Sequence, residues 1–273
     1  MRGKKVMVVT LCALLVFGAL AFASVSLGQQ KALADEGTFY STASDGWLES
    51  WSDAYNTVHD AVNAFNWNDG ENELIIGQWY DVLSIYHIFR SAVFFDTSSL
   101  PDSAVITSAT LSLFGDDDDG DSSDTDFNIT VVDGSSLTPP LADSDYGLLG
   151  GKDISGGAFN TSGFLETVYN DIQLNAAGMG WISKTGMTQF GLRSSRDIAA
   201  DGTFPEDHEY VVVYSSDYGG GSDFYPNLVV TYVYSPRSVP TLSQWGMIGM
   251  AIILAAALIW TVRRRLVVSA GKS

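Results

Sequence analysis

Residues 90–114, RSAVFFDTSSLPDSAVITSATLSLF, decide how the middle of this chain is read. β-Branched and aromatic residues crowd residues 87–95, and Pro101-Asp102 supplies turn chemistry. Beyond the turn, Ala109, Leu111 and Leu113 alternate with Thr110, Ser112 and Phe114, the period of two that turns one strand face toward a core. Two strands, at 87–95 and 104–114, are therefore expected. Working outward, residues 73–80, 127–132, 189–193, 210–214 and 227–234 have the same character and read as further strands. The last two are apolar on both faces, as in strands packed between two layers. Gly- and Asp-rich clusters at 115–126, 150–157 and 217–223 punctuate the series. The pattern predicts an all-β fold, a jelly-roll β-sandwich. Two edge helices are also expected. Residues 54–65 would put Val58, Val62 and Phe65 on one face, and residues 163–174 would do so with Phe164, Val168 and Ile172.

The two ends obey membrane physics. Arg2, Lys4 and Lys5 precede an apolar run over 6–23, the make-up of an N-terminal signal helix. Ala32-Leu33-Ala34 is a small-x-small cleavage site, so residues 1–34 read as a signal peptide and the mature chain would start near Asp35. A cut near 21–24 is the alternative. At the other end, residues 245–262 hold no charge, and Arg263-Arg264-Arg265 follow at once. As a helix this run would be roughly 27 Å long, the thickness of a bilayer's hydrocarbon core. Trp245 and Trp260 bracket it as interfacial aromatics do, which favours one C-terminal transmembrane helix over a buried core helix. The three arginines would be its cytoplasmic stop, with 266–273 a cytoplasmic tail and 35–234 a single domain outside. Residues 235–242, with Pro236 and Pro240, form a short stiff linker.

Charge is partitioned in the same way. All 32 acidic residues lie between Asp35 and Asp223, where only Arg90, Lys152, Lys184, Arg193 and Arg196 are basic, so this span carries a net charge of −27. Such a domain repels nucleic acid and anionic headgroups. The chain's one cysteine is Cys12, so the mature domain has no disulfide and must rest on a buried apolar core.

Two resemblances follow from particular residues. Val239-Pro240-Thr241-Leu242-Ser243-Gln244-Trp245-Gly246, then the apolar run and the arginines, resembles the IPTL-CTERM sorting signals of Gram-negative bacteria over residues 239–265. Val239 stands where the pattern has isoleucine. The resemblance implies Val239, Pro240, Thr241, Leu242, Trp245 and Gly246 as a sorting motif. It also implies an exosortase-type membrane protease as partner, and a cell-surface or extracellular-matrix destination among exopolysaccharides. The plainer reading is a single-pass anchor. More loosely, Arg90-Ser91-Ala92-Val93-Phe94-Phe95-Asp96 with Ser98-Ser99-Leu100-Pro101, the strand 105–113, and Pro226-Asn227-Leu228-Val229-Val230-Thr231-Tyr232 are similar to the DNRLRE family of carbohydrate-binding-module-like jelly rolls. Residues 115–185 match that family poorly, and Thr97 replaces its usual leucine.

The sequence offers little for catalysis. His59, His87 and His208 are scattered, with no metal or nucleophile motif around them. Two acids at glycosidase spacing arise by chance in so acidic a chain. A non-catalytic domain is expected, with a hydrolase or lyase as the outlying alternative. Arg90 should pair with a carboxylate, Asp96 or an acid of a neighbouring strand. Asp116, Asp117, Asp118, Asp119 and Asp121 could together hold Ca2+, although their spacing fails the EF-hand pattern and a solvated loop explains them as well. Trp47, Trp51, Trp67, Trp79 and Tyr218 lie in polar, Gly/Asp/Asn-rich contexts and are the candidate contacts for an extracellular polysaccharide. A structural or adhesive protein that binds no sugar is the second reading.

Overall fold

The computed structural model describes residues 32–116, 126–203, 208–234 and 242–270. Residues Ala32–Tyr234 form one compact unit. Its described residues form twelve strands: β1 (Leu33–Tyr40), β2 (Gly46–Ser52), β3 (Asn66–Asn68), β4 (Glu73–Tyr80), β5 (Tyr86–Asp96), β6 (Val105–Phe114), β7 (Asn128–Asp133), β8 (Gly157–Asn160), β9 (Tyr169–Gln173), β10 (Met187–Ser194), β11 (His208–Tyr214) and β12 (Asn227–Tyr234). Short helices interrupt them: α1 (Tyr55–His59), α2 (Asp145–Gly150), α3 (Ala176–Gly180) and α4 (Ser195–Ile198). All pairings are antiparallel. One sheet runs β1-β12-β6-β9 and the other β11-β4-β5-β10-β7-β8, with β2 beside β5 and β3 beside β2.

The strand alternation shows how this β-sandwich is filled. On β5, Val93 and Phe95 enter the main core with Leu111 and Leu113 of β6, Ile129 and Val131 of β7, and Leu228 and Val230 of β12. Its alternate residues Ile88, Ala92 and Phe94 enter a second core with Leu48, Val58, Tyr146 and Leu149. Successive side chains point to opposite faces, so the larger sheet is covered twice, by the smaller sheet and by the layer that holds α1 and α2. That is why residues 87–95 read as a nearly continuous apolar run. β12 differs from expectation: Leu228, Val230 and Tyr232 are buried, but Val229, Thr231 and Val233 are half-exposed, so its outer face lacks a second layer.

Neither expected edge helix forms in full. Residues 55–59 are helical, but Val62 and Phe65 are 75% and 64% exposed, and the Phe65 amide donates to Glu49 O of β2. Over 163–174 a single 3-10 turn, Thr161–Gly163, leads into β9 on the edge of β6. The reason is geometric. The three apolar residues do not form one surface, since Phe164 and Ile172 are buried, Val168 is 41% exposed, and only Ile172 lies in β9. Thr167, with φ of 59°, breaks any helical continuity, and Asn170 binds Leu165 through both its backbone groups.

The two ends of the unit meet, since Leu33 is paired with Tyr234 and Ala34 with Val233. β1 thus begins two residues before the expected mature start at Asp35, and a cut after Ala34 would remove the first two pairs of this ladder. A cut near 21–24 would keep them. The signal helix itself lies outside the described residues. Separately, α5 (Leu242–Ala270) is a 29-residue helix that contains residues 245–262 and continues past the arginines. Among the described residues no helix is long and apolar enough to cross a membrane. The side chains of 242–245, 247, 262 and 264–270 lie outside that description. Those described, from Ile248 through Ile252, Ile253 and Leu254 to Trp260, are exposed apolar groups around the whole helix.

Candidate functional site

The aromatic residues gather across four strands. Register sets Trp51 of β2 opposite His87 of β5, His87 opposite Trp79 of β4, and Trp79 opposite His208 of β11. Their ring centroids lie 6.2, 4.7 and 4.8 Å apart in that order. The row extends roughly 14 Å at the ordinary spacing of strands. Phe65 adds to its outer end, 4.9 Å from Trp51. Two pairs further along the strands, and so on the same face, Glu49 is opposite Phe89, and Phe89 is opposite Gly77, which faces Tyr210. Gly77 has no side chain, so the Phe89 and Tyr210 rings meet edge to face at 5.6 Å.

Two carboxylates border His87. Glu49 Oε1 is 2.8 Å from Nδ1, and Asp81 Oδ2 is 3.7 Å from Nε2. Asp81 Oδ1 also accepts from the Leu83 and Ile85 amides, which closes the β4–β5 turn and fixes the carboxylate. The turn exposes Val82 and Leu83 at its tip.

The five expected contact residues divide. Trp51, 37% exposed, and Trp79, half-buried, belong to the row. Trp47 is buried against Phe89, and its Nε1 donates to Glu71 Oε2 at 3.3 Å. Trp67, 45% exposed, is opposite Leu48, so it leaves the strand pair on the other face. Tyr218 stacks on Tyr214 at 3.8 Å in a separate aromatic group with Phe224. His87 and His208 had no place in the sequence reading of the site. Their signal was the hairpin: a turn centred on Leu83 pairs residues equally distant from it, Trp79 with His87.

None of the domain's cations faces the row as a free charge. Arg90 is fully buried and donates bidentately to Asp197, from Nε to Oδ2 at 2.8 Å and from Nη2 to Oδ1 at 2.7 Å. It also donates to Tyr146 O and His59 O, and lies 4.0 Å over the Tyr146 ring. Arg193, equally buried, donates to the same Asp197 Oδ2 at 2.6 Å and to Lys152 O. Burial would raise the pKa of Asp197, but the two guanidinium groups outweigh it and hold the carboxyl well below the usual range. The expected structural role of Arg90 is met, with Asp197 beyond the end of β10 as partner and Asp96 exposed elsewhere. Lys152 pairs with Asp133 at 3.4 Å and Arg196 with Asp201 at 3.8 Å. Lys184 donates to the Asp102 and Ala104 carbonyls.

A second buried acid behaves in the opposite way. Asp45 accepts from Ser41 Oγ, Ser216 Oγ and the Ser216 amide, tying the turn after β1 to the loop after β11. Burial outweighs these bonds and raises its pKa to about 6, with the charge of Asp217 adding to the effect. The folded protein therefore binds a proton more tightly than the unfolded chain. From about pH 6 down toward the ordinary carboxylate value, acidification should stabilise the wild type relative to Asp45→Asn. Parallel urea titrations at pH 7 and 4.5 check this, and a constant difference between the two proteins would contradict it.

Asp117, Asp118, Asp119 and Asp121 lie outside the described residues, and Asp116 is buried, its amide donating to Val212 O. Among the described residues no group of three or more His, Cys, Asp or Glu side chains is arranged to hold a metal ion. Of the sorting motif, Val239, Pro240 and Thr241 lie outside the description, Leu242, Trp245 and Gly246 fall in the first turns of α5, and Arg263 is exposed on it.

Residues 237–265 match the IPTL-CTERM motif. No curated protein matches the chain. The motif implies an exported protein that carries a sorting signal, held as a membrane-anchored precursor and processed by an exosortase-type system.

Proposed function

We propose that the chain is a cell-surface or matrix protein whose β-sandwich binds extracellular polysaccharide without catalysing a reaction, and whose tail is read by an exosortase-type protease. The observation that carries this reading is the tail, where motif, helix and arginines stand in the order that sorting needs. Residues 245–262 cross the bilayer in this account. They contain no charge, and the described apolar side chains surround the helix, which suits lipid better than one-sided packing. The row from Trp51 to His208 supports sugar binding, because part-exposed aromatic rings beside polar groups suit the apolar and hydroxyl faces of a pyranose. The likeness to DNRLRE jelly rolls belongs to the same reading. The non-catalytic assignment is favoured by the acids at the row, since Glu49 is engaged by His87 and Asp81 by turn amides.

The sorting half is tested by replacing Pro240 and Trp245 with alanine in cells that carry such a protease. The double variant should accumulate as the unprocessed precursor while the wild type loses its tail. Equal processing of both, read from intact mass, would refute tail recognition.

A further inference from the structure

The acidity of the domain narrows what its aromatic row can bind. We propose that the row Trp51–His87–Trp79–His208 takes a polysaccharide bearing free amino groups, and rejects acidic polysaccharides. The inference rests on the sugar-binding reading above and adds the charge of the ligand.

Recognition of uronate, sulfate or phosphate groups calls for a guanidinium or ammonium group aimed at the anion. This domain has five cations, and all are committed. Arg90 and Arg193 are sealed inside the fold on Asp197, Lys152 and Arg196 pair with Asp133 and Asp201, and Lys184 is held by two backbone carbonyls. Around the row the fixed charges are negative. Glu49 and Asp81 border His87 on its two sides, and each keeps 13% of its side chain exposed. An acidic sugar would bring its charge against both carboxylates without a compensating cation. A protonated amine meets the reverse situation: two carboxylates beside part-exposed rings, and the attraction of a domain with net charge −27. A row that crosses four strands accommodates several successive sugar rings, so repeated amines add to the binding.

The test is isothermal titration of the full chain in neutral detergent and mildly acidic buffer with four soluble short polymers: a chitosan oligomer, the same oligomer after N-acetylation, dextran and alginate. Chitosan should bind about tenfold more tightly than its N-acetylated form, and more weakly as salt rises from about 0.1 M to about 1 M. Alginate should not bind. Glu49→Gln, which keeps the size of the side chain, should reduce chitosan affinity several-fold and leave the N-acetylated polymer unaffected, whereas Trp51→Ala should weaken both. Equal binding of the amine-bearing and N-acetylated polymers, or tighter binding of alginate, overturns the charge inference and leaves sugar binding standing. Failure of all four to bind overturns sugar binding itself. Chitosan binding that follows salt but is indifferent to both substitutions is diffuse attraction to an acidic surface, and that result overturns the site.

Discussion

Replacing Asp197 with alanine should cost about 3–5 kcal/mol, a large share of what holds the β-sandwich folded, and lower its melting temperature sharply. The substitution takes from Arg90 and Arg193, both fully buried, the carboxylate they share, and leaves only the exposed Asp153, 3.4 Å from Arg193, as counter-charge. Domains of this size hold only about 5–15 kcal/mol in total. Thermal unfolding followed by circular dichroism reads the loss directly. The cluster's desolvation cost makes a second expectation. A triple variant with Arg90→Met, Arg193→Met and Asp197→Leu should melt well above Asp197→Ala, because it buries no orphaned charge. The pH dependence has the sign of a depressed carboxylate. The contribution of Asp197 is complete above the usual aspartate range and is lost as the pH falls below it toward the folded-state value. Acid unfolding should accordingly be steep in that low range, whereas Asp45 acts at higher pH and in the opposite sense.

Gly77→Ala should be nearly as damaging, by about 3 kcal/mol or more, and should act on the candidate site as well. Gly77 has φ of +144°, a conformation that an L side chain rarely adopts. A Cβ there would lie 2.3 Å from Glu209 O and 2.5 Å from Tyr210 Cα, both backbone atoms that can move only if β11 separates from β4. That separation would part Trp79 from His208 and fill the gap where Phe89 meets Tyr210. Stability and glycan affinity should therefore fall together. Gly70→Ala is the control, since its Cβ would meet only Asn68 Oδ1 at 3.9 Å, and a change within about 0.5 kcal/mol is expected. A Gly77→Ala protein that melts with the wild type would show that β4 and β11 are held less tightly than their register implies.

The strands that fill the main core were legible in the sequence, because burial writes a period of two into residues such as Ala109, Leu111 and Leu113. Residues 73–80 and 227–234 form strands with the expected bounds. β1 escaped notice because it is an edge strand. Of its residues only Phe39 is buried, and Asp35 and Glu36 face water where an acid costs nothing. β8 and β9 were obscured differently, because β8 is four residues long with Gly157 at its buried position and β9 buries Asn170 beside Ile172. The helix expected at 163–174 failed because Thr167 turns the chain at φ of 59° and Val168, placed on the expected apolar face, is 41% exposed. At the site, the sequence named Trp51 and Trp79 but had no means of joining them. Their adjacency depends on β2 and β4 both pairing with β5, a long-range arrangement absent from local pattern. Trp47 in β2 and Trp67 in β3 show the same point from the other direction: one is buried and one turned away by register alone. The tail was legible for the opposite reason, since its motif, apolar run and arginines are consecutive.

The central claim is that the acidic β-sandwich stands outside a membrane crossed by residues 245–262. Adding a broad-specificity protease to intact spheroplasts tests it most directly. The account predicts that fragments from 32–234 appear while a cytoplasmic marker survives. A β-sandwich that persists until the spheroplasts are lysed, and is then digested, would contradict it.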